Sequence, residues 1–98
     1  MKVNFNKPFT DCFGKSIEGK NISEQVCMSL FNLSTLSGTP VPADKKYMAY
    51  SLCNRISSSP DEVEMSTEEA SFLKEVCNEN YSAGAYGQIV DMVEGASK

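Results

Sequence analysis

Four cysteines, one pair of adjacent glutamates and two tyrosines set among small residues are the side chains in this sequence that could do chemistry. Cys12, Cys27, Cys53 and Cys77 are widely spaced, with no C-x-x-C pair, and the chain contains no histidine. A zinc site of the usual Cys/His kind therefore has no ligand set, and neither a Ser–His nor a Cys–His nucleophile pair can form within the chain. The missing imidazole also removes the commonest general base near neutral pH. Cys27, Cys53 and Cys77 each fall near the apolar positions of a helical pattern, which predicts reduced thiols acting as small hydrophobes.

Glu68 and Glu69 are neighbours, but successive residues on a helix point about 100° apart, so they do not form an acid/base dyad. Their position after Ser66 has a better explanation. Ser66 and Glu69 have capping-box spacing, and both glutamates sit in the first turn, where the helix dipole favours negative charge. No dinucleotide, phosphate-loop, EF-hand or metalloprotease motif is present. The expectation is a protein with no catalytic residue, no metal and no cofactor.

The elements that position these residues follow from pattern. The run Met65–Gly95 supplies the clearest helix start, an elbow at Ser82-Ala83-Gly84-Ala85-Tyr86-Gly87 and a second amphipathic stripe of Tyr86, Ile89, Val90 and Val93, with Gly95 ending it. Earlier, Val3 and Phe5 alternate with polar residues, and Asp11-Cys12-Phe13-Gly14 has Asp first and Gly fourth, as in a type I turn. Residues 2–18 therefore read as an N-terminal β-hairpin or arm. Phe5, Phe9, Phe13 and Ile17 must then pack on the helices or on another copy, because a lone hairpin is marginal.

Asn21 or Ser23 caps a helix carrying Val26, Leu30 and Leu33 that runs to about Leu36. Pro42 opens another, with Tyr47, Met48, Leu52 and Ile56 as its apolar stripe, widened by Tyr50 and Cys53. Glu62–Met65 has the alternation of a short strand beside the arm. The fold expected is α+β and mainly helical: a hairpin followed by about four amphipathic helices, with residues 22–95 as the helical core of a single domain spanning residues 1–98.

Ninety-eight residues, 41% hydrophobic and 22% charged, suit one small domain. No stretch approaches the roughly 20 apolar residues of a membrane span, and the first residues lack a signal-peptide core, so a cytoplasmic protein with no membrane partner is expected. Charge divides unevenly. Residues 1–60 carry seven basic and four acidic residues, whereas residues 61–94 carry one lysine and nine acids. That predicts an acidic C-terminal helix pair, disfavours direct nucleic-acid binding and suits a basic partner.

The partner-binding candidates are Phe9 and Phe13 in the arm, Glu75, Glu79 and Asp91 on the acidic helices, and Tyr81 and Tyr86 around the small residues of the elbow. A homodimer is the expected assembly, since a small domain with an apolar arm gains by sharing buried surface. The segments K-V-N-F-N-K-P-F-T-D-C-F-G-K-S-I, S-T-E-E-A-S-F-L-K-E-V-C and S-A-G-A-Y-G-Q-I-V-D-M-V-E-G resemble small uncharacterised proteins of tailed phages and prophages. The resemblance spans nearly the whole chain. It implies a phage or prophage accessory protein in the bacterial host cell, binding a host or phage protein. The alternatives are a virion-assembly component whose arm adds a strand to a neighbour, or an acidic nucleic-acid mimic that inhibits a host enzyme.

Overall fold

The computed structural model describes residues 1–96; Lys98, the last charge of the sequence, lies outside them. The fold is α+β and mainly helical. Strands β1 (Lys2–Val3), β2 (Pro8–Thr10) and β3 (Ser16–Asn21) lead into α1 (Ile22–Phe31). Strands β4 (Thr35–Leu36) and β5 (Thr39–Pro40) precede α2 (Ala43–Ser58). Strand β6 (Val63–Glu64) then leads to α3 (Thr67–Asn80) and α4 (Ala83–Ala96).

The hairpin is present but displaced along the chain. Its strands are β2 and β3, joined antiparallel with Thr10 opposite Ser16 and Pro8 opposite Asn21, and an irregularity lies between the two pairs. Residues 2–3 do not belong to it. The chain turns at Asn4–Lys7, where Asn4 Oδ1 accepts from the Asn6 N–H at 2.8 Å and the Phe5 carbonyl from the Lys7 N–H at 2.9 Å. That bend sends β1 away to pair with β6, Val3 opposite Val63. The short strand expected at Glu62–Met65 thus exists, and its partner is β1.

Helix α1 begins where Asn21 Oδ1 accepts from the Ser23 N–H, and stops at Phe31, five residues before Leu36. Asn32 ends it by turning its side chain back onto the Met28 carbonyl at 2.9 Å. The residues freed form a two-residue hairpin with Ser37 and Gly38 at its tip, both at positive φ (54° and 75°), the conformation that matches strand twist. Ser37 is a strained occupant. Glu79 on α3 compensates by accepting from both its N–H (2.9 Å) and its hydroxyl (3.0 Å).

The capping box at Ser66 and Glu69 forms as the spacing predicts. The elbow after α3 is tighter than its composition suggests. Only Tyr81 and Ser82 lie between the helices, and Gly84, Gly87 and Gly95 all fall within α4. The core is one cluster: Val3, Phe5 and Phe9 from the N-terminal strands, Val26 and Leu30 from α1, Leu52 and Ile56 from α2, Leu73 and Val76 from α3, and Ile89 and Val93 from α4. Tyr47 is not in it. It precedes the buried Ala49 by two residues, about 200° around the helix, and points to solvent.

Candidate functional site

The hairpin tip is built by Asp11. Its carboxylate accepts from the N–H groups of Phe13 (2.9 Å) and Lys15 (3.0 Å), while its carbonyl accepts from Gly14 (3.1 Å), which adopts φ +83°. This side-chain-to-backbone turn fixes the tip without any apolar packing. Every residue from Asp11 to Lys20 is exposed, and Phe13 keeps 84% of its surface in water. Ile17 is the second exposed apolar residue of the arm.

The root of the same hairpin is anchored. Phe9 faces inward, buried, with its ring 6.2 Å from that of Tyr81. The Tyr81 hydroxyl lies 2.7 Å from that of Ser29, and burial pushes its pKa up. Gln88 of α4 clamps Thr10. Its Oε1 accepts from the Thr10 N–H (2.8 Å) and hydroxyl (3.1 Å), while its Nε2 donates to the Thr10 carbonyl (2.9 Å). One primary amide thus does for β2 what a neighbouring strand would do, closing the free edge of the hairpin. Between arm and helix lies an open cleft of about 360 Å³, walled by Phe9, Cys12, Ile17, Lys20, Tyr81 and Ala85 among others.

The seven partner-binding candidates separate by environment. Phe13 is at the tip, free of the core. Phe9 and Tyr81 are brought together, but as packing that holds the arm down. Tyr86 is half-buried against the core. Glu79 is committed to Ser37. Glu75 and Asp91 are exposed on α3 and α4. Thr10, Ile17, Lys20 and Gln88 complete the arm and its cleft without having been candidates; only Ile17 carried a signal, as one of the arm's apolar residues.

Four acids of the acidic segment are answered by charges from the other half of the chain. Lys2 binds Glu62 at 2.7 Å, the N-terminal amine lies 3.4 Å from Glu64, and Lys45 lies 3.6 Å from Glu68. Arg55 pairs with Glu69, and Lys74 with Glu94. The Arg55 guanidinium, hydrogen-bonded to Glu69, holds that carboxyl below its ordinary range. Among the described residues, five of the nine acids are therefore ion-paired. The arm has the opposite character: Lys7, Lys15 and Lys20 have no ion-pair partner among the described residues.

Cys12 is exposed at the wall of the cleft, whereas the other three thiols are wholly or partly buried. Cys27 and Cys53 meet across the α1–α2 seam, each Sγ against the other's carbonyl oxygen at 3.6 and 3.5 Å. Burial first, then the neighbouring Cys53, raises the Cys27 pKa to about 12; burial alone does the same for Cys77. Such thiols are almost wholly protonated at neutral pH and are weak nucleophiles. Among the described residues no three Cys, Asp or Glu side chains cluster as a metal site, and no helix is long and apolar enough to cross a membrane. No protein-family model, curated protein or solved structure matches the chain.

Proposed function

We propose that this chain is a non-catalytic phage or prophage accessory protein that works in the bacterial cytoplasm by binding a host or phage protein through its N-terminal arm. The observation that carries the reading is the contrast within one hairpin: a root clamped by Gln88 and Phe9, and an ordered turn that presents Phe13 to water, with Ile17 exposed on the strand that follows. Exposed aromatic residues on a pre-organised turn lose little conformational entropy on binding and are typical anchors of an interface. Lys15 and Lys20 beside them suit a partner surface with acidic residues at its rim. The phage setting rests on the sequence resemblance. A non-catalytic role rests on the absent histidine, which leaves every thiol, the exposed Cys12 included, without an imidazole base in the chain.

The acidic helix pair is the weaker contact surface, because most of its carboxylates already have partners in the chain. That also counts against mimicry of a nucleic acid, which needs an uninterrupted row of charge. The test is affinity capture from bacterial lysate with the wild-type bait and a Phe13→Ser/Ile17→Ser bait side by side. A partner held by the first and lost from the second supports the arm. A partner held equally by both, and lost on Glu75→Lys/Asp91→Lys, moves the contact to α3 and α4.

A further inference from the structure

A second surface is apolar without belonging to the arm or the core. Of the six large hydrophobic side chains exposed among the described residues, two are Phe13 and Ile17; the other four are Met28 and Phe31 on α1 and Tyr47 and Tyr50 on α2, at 61%, 66%, 71% and 50% exposure. These four lie on neighbouring helices. Cys27 meets Cys53 at the seam, and the N-terminal turn of α1 shares a recess with the last turn of α2 through Glu24 and Ser57, so the helices run antiparallel. Phe31, one turn beyond Cys27, consequently stands level with Ala49 and Tyr50, one turn before Cys53. The Tyr47 and Tyr50 rings are mutually tilted at 43° with centroids 6.2 Å apart.

We infer that this α1–α2 face is a two-fold interface with a second copy of the chain. Area is the first argument. With about 200 Å² for a full aromatic side chain, the four residues expose about 500 Å², in the range where a monomer's largest apolar patch is often functional. Covering them on two copies removes about 1,000 Å² from water, the point at which specific interfaces begin, before the polar border of Asn32, Asn54 and Ser57 adds to it.

Charge is the second argument. Along the seam Glu24 marks one end of the apolar stripe and Lys46 the other, and neither has an ion-pair partner among the described residues. A two-fold axis through the middle of the stripe lays the Glu24 end of one copy over the Lys46 end of the other, twice per dimer. An isologous contact of this kind is self-complementary and closes.

Sedimentation equilibrium across a concentration series tests the assignment, with circular dichroism confirming that each variant is folded. The wild-type chain should pass from 10.7 kDa to twice that mass by about 100 µM. Phe31→Ser should weaken the dimer about tenfold or more. Glu24→Lys and Lys46→Glu should each weaken it about tenfold, and the double reversal should return it to within about threefold of wild type. A chain that stays monomeric to about 100 µM overturns the inference. So does a dimer indifferent to these changes, and so does a monomer that binds a different protein through Phe31, which assigns the face to that partner instead. Phe13→Ser serves as the control, since loss of arm binding leaves the mass unchanged.

Discussion

Helix α3 and the hairpin tip use the same device to opposite ends. At Ser66 a short oxygen-bearing side chain satisfies backbone N–H groups and starts a helix whose Ala70, Leu73, Val76 and Cys77 all disappear into the core. At Asp11 a carboxylate satisfies the N–H groups of Phe13 and Lys15 and starts nothing: the residues it orders remain in water. In the first case local hydrogen bonds assist a structure that burial already stabilises. In the second they cap a strand pair and order a tip that buries no residue from Asp11 to Lys15. Stability and contact are therefore located in different residues and should separate under mutation.

The largest effect belongs to the buried side of that comparison. Leu73 is fully buried, and Leu73→Ala should cost about 2–5 kcal/mol in urea denaturation, the usual penalty for lost transfer energy plus a cavity. A cost below about 1 kcal/mol would mean that α3 is not the centre of the core. Gln88→Ala comes next. It strips the Thr10 N–H and carbonyl of their partner, and the site is half-buried, so about 1–3 kcal/mol should be lost. Amide exchange at Thr10 should accelerate while that at Leu73 stays near the global limit.

A smaller effect lies at the junction of α2 and α3. Arg55 lowers the folded-state pKa of Glu69 below its ordinary value near 4.3. The stabilisation is therefore complete above that ordinary value and is lost as pH falls through the depressed one. Glu69→Gln should be less stable than wild type by about 1 kcal/mol at pH 7, with the gap narrowing as the solution is acidified below about pH 4. A gap that widens in acid would reverse the sign. Smallest of all, Phe13→Ser should change stability by less than about 0.5 kcal/mol, as expected for an exposed side chain without packing partners.

What could be read in the sequence was local. The Ser66–Glu69 capping box, the Asp11–Gly14 turn and the Pro42 helix start each depend on residues within four positions, and each is found. The displaced features depend on distant partners. Val3 leaves the hairpin because Val63 is available, and Thr10 is held by a glutamine 78 residues away that carried no signal of its own. The Ser37-Gly38 hairpin was hidden among prolines that suggested only a loop, and its strained serine needed Glu79 from α3.

Charge pairing was hidden for the same reason. Nine acids close together in sequence suggest an acidic face, but folding brings Lys2, Lys45 and Arg55 onto them from the first sixty residues. At Tyr47 and Tyr50 an apolar residue type stood for a core position, where the helix turns both outward.

The most direct test of the separation measures both quantities on one variant. For the protein captured by the wild-type arm, affinity and urea midpoint would be determined for the native chain and for Phe13→Ser/Ile17→Ser. The expected result is an affinity lower by about 100-fold, with midpoints that coincide within error. Equal affinities would remove the arm from the contact, and a midpoint that fell with the affinity would show that the tip belongs to the fold after all.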